Sequence, residues 1–299
     1  MAVPTSPARL DGLPPLPGVQ HHWLDVPSNG GHLRLHVAEA GSGAPVLLLH
    51  GWPQHWWCWR RVTERLRGRY RLLAPDLRGF GWSEAPGGGY GAAFTEDVVG
   101  LLDTLGLTRA HVVGHDWGGF AAILLGLRHP ERVDRLLLAN TSGPWARLSP
   151  QVAAGLRRAW YAALVATPIL GERVVAHPRF VPWFLRLGGQ AALFPDEDAT
   201  LYADQFHDPA RAAAASRLYR YYLQTARAIL LRRAFAGQRL QAPTRLLFGA
   251  DDFYIPRAVV ADVEAHGDDL TLDIISGCSH WMPEERPDLI ADQARALFG

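Results

Sequence analysis

Short apolar runs alternate with helical patterns through the first half of the chain. Residues 33–40 alternate apolar and polar like a half-buried strand, and residues 46–49 form a continuous Val-Leu-Leu-Leu run, as expected of a strand covered on both faces. Residues 71–74, 110–113 and 135–139 repeat that signature, and helices are predicted between them over 95–105 and 118–128. Strand and helix in alternation predict an α/β fold, a mostly parallel sheet with helices on both faces. The pattern breaks after residue 141. No clear strand is read between 142 and 236, where Ala, Arg and aromatic residues dominate, helical runs occupy 150–165 and 209–235, and Pro168, Pro178, Pro182 and Pro195 punctuate the segment. Strands resume at 244–248 and 270–275, and a last helix starts near Pro287. A helical block set late into a parallel sheet reads as an inserted cap. The expected organisation is a core of residues 1–141 and 237–299 with a cap of residues 142–236.

Composition narrows the function classes. With 299 residues, 48% of them hydrophobic, the chain can bury a large core. A net charge of +1, from 30 basic and 29 acidic residues, gives no electrostatic case for nucleic acid or an anionic membrane. Lys is absent, so every basic side chain apart from His is Arg, a bias that fits a GC-rich genome better than a recognition surface. Cys58 and Cys278 are too few for a disulfide scaffold and lack metal-ligand spacing; they fit a reducing compartment. The stretch 1–20 is interrupted by prolines and lacks the apolar run of a leader, and no later segment is apolar enough to span a bilayer. These features predict a soluble cytoplasmic protein without metal or organic cofactor, with no nucleic-acid or membrane partner. A homodimer is left open.

The decisive segment is Val113-Gly114-His115-Asp116-Trp117-Gly118-Gly119. It follows an apolar strand, precedes a helical run and places small residues two before and two after Asp116. That is the pattern of a nucleophile elbow, a strained strand-to-helix turn whose central residue usually is Ser. Asp changes the chemistry. A serine is acylated by its substrate, whereas a carboxylate is alkylated, giving an ester whose carbonyl carbon belongs to the enzyme. Such a nucleophile suits strained or activated sp³ carbon, in epoxides or alkyl halides. A bare helix cap is the competing role for Asp116.

With these residues the chain resembles the α/β-hydrolase-fold epoxide hydrolases and their relatives, the haloalkane and haloacetate dehalogenases. The resemblance runs from about His36 to the C-terminus and is weakest across the cap. Its motifs are His50-Gly51-Trp52-Pro53, the run from Asp76 to Ser83 that reads Asp-Leu-Arg-Gly-Phe-Gly-Trp-Ser, the elbow, Gly249-Ala250-Asp251-Asp252 with Pro256, and Gly277-Cys278-Ser279-His280-Trp281. Among thirteen histidines, His280 follows the strand ending near Ile275, where the resemblance places the base that activates water. The resemblance puts the acid that orients it three residues after Gly249, at Asp252, leaving Asp251 to turn chemistry. That choice rests on spacing alone. The resemblance also implies an oxyanion hole from the backbone N–H groups of Trp52 and Trp117, and a cis bond before Pro53 is admissible. His50, His111, His115 and His129 are read as packing or turn residues.

The cap separates epoxide from halide. Opening an epoxide creates an alkoxide, which needs an acidic O–H donor, and epoxide hydrolases place two cap tyrosines over the nucleophile. Trp160-Tyr161, ahead of Pro168, resembles the first tyrosine segment and Leu218-Tyr219-Arg220 the second, with Tyr202, Tyr221 and Tyr222 close enough to compete. Haloacetate dehalogenases carry Arg where this chain has Trp117 and Phe120, and haloalkane dehalogenases commonly carry Asn or Glu at the position of Trp52. Trp117 occurs in both epoxide hydrolases and haloalkane dehalogenases. Trp52, Trp56, Trp57 and Trp59 could line an apolar pocket, though Trp57 and Trp59 suit helix packing better; Trp183, Phe184, Phe194 and Phe206 read as cap core. The expected function is hydrolysis of a small apolar epoxide to a vicinal diol, with haloalkane dehalogenation by the same Asp116, His280 and Asp252 as the alternative and a turnover-free receptor as the rival of another class.

Overall fold

The computed structural model describes residues 12–28 and 31–299, so most of the stretch read for a leader lies outside the described residues. Strands β1 (Val19–Ser28) and β2 (Gly31–Ala40) form an antiparallel hairpin at one edge of an eight-stranded sheet. Strand β2 pairs antiparallel with β4 (Tyr70–Pro75). Every later neighbour is parallel: β4 with β3 (Ala44–Leu49), then β5 (Ala110–His115), β6 (Val133–Ala139), β7 (Thr244–Gly249) and β8 (Leu270–Ile275). Val46 to Leu49, Val112 and Val113 are wholly inaccessible, as apolar runs covered on both faces must be. Strand β1 escapes the sequence reading. Only Leu24 and Val26 along it are buried, His21, His22 and Asp25 interrupt its pattern, and Pro27 is tolerated because the strand lies at the sheet edge.

Helix α1 (Arg60–Leu66) follows β3, α2 (Ala93–Thr104) follows β4, and α3 (Trp117–Arg128) connects β5 to β6. Helices α2 and α3 pack together, with α3 across β3, β5 and β6. Between β6 and β7 the chain is helical: α4 (Pro150–Leu156), α5 (Trp160–Ala166), α6 (Leu170–Val175), α7 (Phe180–Leu185), α8 (Asp196–Asp204) and α9 (Pro209–Arg232). The run expected as one helix over 150–165 is broken by a 3₁₀ turn at Arg157–Ala159. Tertiary packing overrides propensity there: Gly155 abuts Pro256 so closely that a Cβ would lie 2.2 Å from the proline Cβ, while Tyr161 and Ala162 turn inward. After β8 come α10 (Met282–Glu285) and α11 (Pro287–Phe298); α11 packs on α1 and β6. Among the described residues no helix is long and apolar enough to cross a membrane.

Buried polar contacts fix the helical segment over the strand ends. Asp198 of α8 accepts from Arg60 Nη2 at 2.8 Å and from the Trp57 indole at 3.0 Å. Tyr202 donates to Glu284 Oε1 at 2.7 Å, the oxygen that also accepts from Arg60 Nη1 at 2.8 Å. Gln205 donates to the Pro53 carbonyl at 2.8 Å and accepts from Gly81 N–H at 2.7 Å. The Tyr202 and Arg60 contacts with Glu284 are buried and the others part-buried, so removing Tyr202 or Arg60 would leave Glu284 short of a partner at a cost of about 1–3 kcal/mol.

Candidate active site

The chain leaves β5 and enters α3 through Asp116, which has φ 50° and ψ −116°. A non-glycine residue there carries strain of about 1–3 kcal/mol and persists only where its surroundings impose it. They do so here. Asp116 N–H donates to the Ala139 carbonyl at 3.2 Å, and its own carbonyl accepts from Phe120 N–H at 3.0 Å and from Thr141 Oγ1 at 2.8 Å. The small neighbours are steric necessities: a Cβ on Gly118 would lie 2.1 Å from the Leu49 carbonyl oxygen, and one on Gly114 would lie 2.7 Å from that of Gly118. Gly51 matters for the same reason, since a Cβ there would meet Asp116 Oδ2 at 2.5 Å.

Asp116 Oδ2 accepts from Trp52 N–H at 3.0 Å, and the Trp117 N–H is close enough to favour the charged carboxylate. The peptide bond between Trp52 and Pro53 is cis. His50 holds the Gly51–Trp52 peptide unit: Leu77 N–H donates to its Nε2 at 2.9 Å, which leaves Nδ1–H to donate to the Gly51 carbonyl at 2.9 Å. One end of that peptide is thereby clasped while the other points at Asp116. Asp76 braces the same region, accepting from Trp56 N–H at 2.8 Å, Trp82 N–H at 2.9 Å and His36 Nδ1 at 2.7 Å. Burial opposes its ionisation, yet His36, with His55 and His50 nearby, holds its pKa down to about 2.

His280 lies in the loop after β8 with its Nδ1 2.8 Å from Asp252 Oδ2, and its Nε2 is 4.0 Å from Asp116 Oδ1. Asp252 Oδ1 accepts from the N–H groups of Tyr254 at 2.8 Å and Ile255 at 2.9 Å, and Asn140 donates to Oδ2 at 2.8 Å. Burial works against the Asp252 carboxylate, but His280 and these donors leave its pKa below the ordinary value. Burial also works against a charged His280; Asp252 and Asp116 outweigh it, so its pKa is raised. Asp251 is exposed and makes no side-chain hydrogen bond among the described residues. His115, read as a packing residue, holds the His280 backbone: its Nε2 meets the His280 carbonyl at 2.8 Å, and burial keeps it neutral by lowering its pKa to about 3.

For Asp116 burial dominates, raising its pKa to about 6 against the opposing effects of His280 and the two N–H groups. The native state therefore binds this proton more tightly than the unfolded chain, and stability falls as pH rises from about 4 to about 6. Each tenfold in proton affinity is about 1.4 kcal/mol, so above about pH 6 the buried charge costs on the order of 2–3 kcal/mol. Asp116→Asn keeps an acceptor oxygen and loses the charge. It is expected to be more stable by about 1–3 kcal/mol near neutral pH and nearly equal to wild type near pH 4, as read by denaturant unfolding. A variant less stable than wild type at neutral pH would refute the account.

These groups open into a cleft of about 1000 Å³, part of it open to solvent. Asp116, His280, Tyr161 and Tyr219 line it together with Trp52 and Trp117. The rings of Tyr161 and Tyr219 are 5.9 Å apart, and Trp52 sits edge-on to Tyr219 at 5.0 Å. Neither phenol hydroxyl has a hydrogen-bond partner among the described residues. Burial first, then neighbouring phenols and the Asp116 charge, raise both pKa values well above 10, so both stay protonated. Of the competing tyrosines, Tyr202 is committed to Glu284 and Tyr221 stands outside the cleft, whereas Tyr222 lines it. Other expectations need correction. Phe184 is buried in the core as expected and also lines the cleft, whereas Trp183, expected in the interior, is 43% exposed. Trp56 and Trp59 are core residues, which leaves Trp52 as the cleft member of the Trp cluster.

The family model for the alpha/beta hydrolase fold matches residues 44–287. The chain belongs to the α/β-hydrolase fold family. Within that family it is similar to the AB hydrolase superfamily protein YfhM of Bacillus subtilis, 28% identical over 89% of this chain and 93% of that protein. It is likewise similar to the soluble epoxide hydrolase of a Corynebacterium species, 28% identical over 94% of this chain and 97% of that one. A solved structure described as a putative epoxide hydrolase from Pseudomonas aeruginosa superposes with TM-score 0.78 and 29% identity, covering 95% of this chain and 97% of the other. The eight-stranded order and the helical segment between β6 and β7 are thus those of an α/β hydrolase with epoxide hydrolase relatives.

Proposed function

We propose that the protein hydrolyses a small apolar epoxide to a vicinal diol through an ester on Asp116, with residues 142–236 acting as a cap on a core of residues 1–141 and 237–299. The observation that carries this reading is a carboxylate at the elbow facing two protonated phenols without protein partners across one cleft. Oδ2 is held by Trp52 N–H, which leaves Oδ1 to attack an epoxide carbon. As that C–O bond breaks, Tyr161 and Tyr219 hydrogen-bond the departing oxygen and one phenol gives it a proton. The product is an alkyl ester of Asp116. His280 Nε2, within reach through one water of the ester carbonyl carbon, takes a proton from that water as it attacks. Negative charge on the carbonyl oxygen falls where the Trp52 and Trp117 N–H groups point. Collapse expels the diol oxygen, which takes the proton that the attacking water left on the Asp116 carboxyl, and the His280 proton returns to the tyrosine. Asp252 keeps the imidazole oriented with Nε2 toward the nucleophile.

A halide needs N–H donors instead. The Trp52 indole N–H is buried with no acceptor among the described residues, and Trp117, which epoxide hydrolases share with haloalkane dehalogenases, lines the cleft, so the leaving group decides between the two readings. The test is direct: incubate the protein with styrene oxide and with 1-bromobutane, and assay diol and bromide. Diol without bromide is expected. In single turnover in heavy-oxygen water the label should enter Asp116, because water attacks the carboxyl carbon and the diol leaves with an Asp116 oxygen. Label found only in the diol would mean direct attack of water on the epoxide and would end this mechanism; bromide without diol would replace the reading with dehalogenation.

A further inference from the structure

A third phenol in the cleft is surplus to ring opening. Helix α9 places Tyr219, Tyr222 and Thr225 at spacings of three residues, and all three line the cleft. An epoxide oxygen has two lone pairs, which two hydrogen-bond donors fill. Given the reading above, Tyr161 and Tyr219 occupy both. Tyr222 packs 6.3 Å from Tyr219 and 5.9 Å from Trp117, ring to ring, and Asp116 is near enough for its charge to bear on the phenol. Like Thr225, it has no hydrogen-bond partner among the described residues. A hydroxyl drawn into an apolar cleft without a partner costs about 1–3 kcal/mol, whereas ligand clefts use a few such groups to orient what they bind. Beyond Thr225 the wall is apolar, made by Ala226, Ile229 and Leu230 with Val152 and Leu156.

The geometry points to a second oxygen site: Tyr222 and Thr225 bind an oxygen of the substrate other than that of its ring. Three residues of helix advance roughly 4.5 Å, so this oxygen sits a few bonds from the epoxide, followed by an apolar remainder. The substrate class is an epoxide with a nearby hydroxyl, ether or carbonyl oxygen. This inference rests on the epoxide-opening function proposed above and replaces its apolar substrate with one carrying a second oxygen, since a purely apolar epoxide would leave both hydroxyls unpaired.

The test compares 3,4-epoxybutan-1-ol with 1,2-epoxypentane, which carries a methyl group in place of the hydroxyl. Wild type is expected to favour the alcohol in kcat/KM by about fivefold to tenfold, the value of one or two neutral hydrogen bonds. Tyr222→Phe and Thr225→Val should each pull that ratio toward one, chiefly through the KM of the alcohol, and melting curves for each establish that it is folded. If Tyr222→Phe does not fold, Thr225→Val alone decides. A wild type without preference, or variants that retain it, would overturn the second oxygen site while leaving the hydrolase intact. An equal fall in kcat on both substrates with Tyr222→Phe would make it a ring-opening donor and likewise overturn the site. No diol from either epoxide would instead remove the proposed reaction, and this site with it.

Discussion

With His280 replaced by Gln, the alkylated enzyme is expected to accumulate and to be visible by intact mass as Asp116 plus one epoxide. The two proposed half-reactions make different demands on the same few ångströms. Attack on the epoxide needs only the ionised carboxylate and the phenols, and His280 stands 4.0 Å from Asp116 Oδ1, too far to hydrogen-bond it. Ester hydrolysis needs a base, and losing a general base costs roughly 10²–10⁴-fold. Charge couples the two steps. In the free protein Asp116 contributes to the raised pKa of His280; once Asp116 is an ester that support vanishes, and the imidazole is freer to take a proton from water. Alkylation itself should fade as pH drops through about 6, where Asp116 takes up its proton and ceases to be a nucleophile. Asp252→Asn should resemble His280→Gln, and Asp251→Asn should be far milder, since only Asp252 touches the imidazole. Normal turnover by His280→Gln with no adduct would remove the base from His280.

How much of this was legible beforehand follows from range. The parallel strands and α3 are written in local periodicity, and the elbow in seven consecutive residues, because strain at one turn demands small neighbours at fixed offsets. Asp252 could be told from Asp251 only by the offset from Gly249. The structure adds the reason, two backbone donors at 254 and 255 and Asn140 from the end of β6 converging on that carboxylate. Asn140 itself was invisible: its φ of 42° and its partner 112 residues away leave no local trace. The sequence offers His50 only as a packing or turn residue, and its grip on the Gly51–Trp52 peptide depends on Leu77, which lies just past the end of another strand. In the sequence Tyr222 is only a neighbour that competes with Tyr219. Which of three clustered tyrosines faces a cleft depends on the rotation of α9, and that is set by packing against α5 and α6 across the helical segment.

The largest effect is expected from the tyrosine pair. When an epoxide opens, charge develops on a strongly basic oxygen still attached to the product, inside a cleft whose walls are mostly aromatic and aliphatic. Water cannot serve well there, so a donor has to be in place. A phenol suits the task because burial keeps it protonated, with its pKa raised well above 10 at both Tyr161 and Tyr219, yet it remains acidic enough to protonate an alkoxide. Removing one donor aimed at developing charge costs about 10²–10³-fold in comparable sites. Tyr161→Phe and Tyr219→Phe should therefore each slow alkylation of Asp116 by about that factor, and the double variant should nearly abolish it. The rings survive as Phe, so the packing of Tyr161 on Phe184 at 4.8 Å and of Tyr219 on Trp52 at 5.0 Å is retained, and a fall in rate reports the hydroxyls. Hydrolysis of an ester already formed should change far less, because the proposed mechanism assigns that step to His280 and the Trp52 and Trp117 N–H groups. Tryptophan fluorescence in the pre-steady state can separate the two steps, with the indoles of Trp52 and Trp117 lining the cleft beside Asp116. A double variant that alkylates at the wild-type rate would reduce both tyrosines to packing residues and leave the choice of an epoxide without its chemical basis.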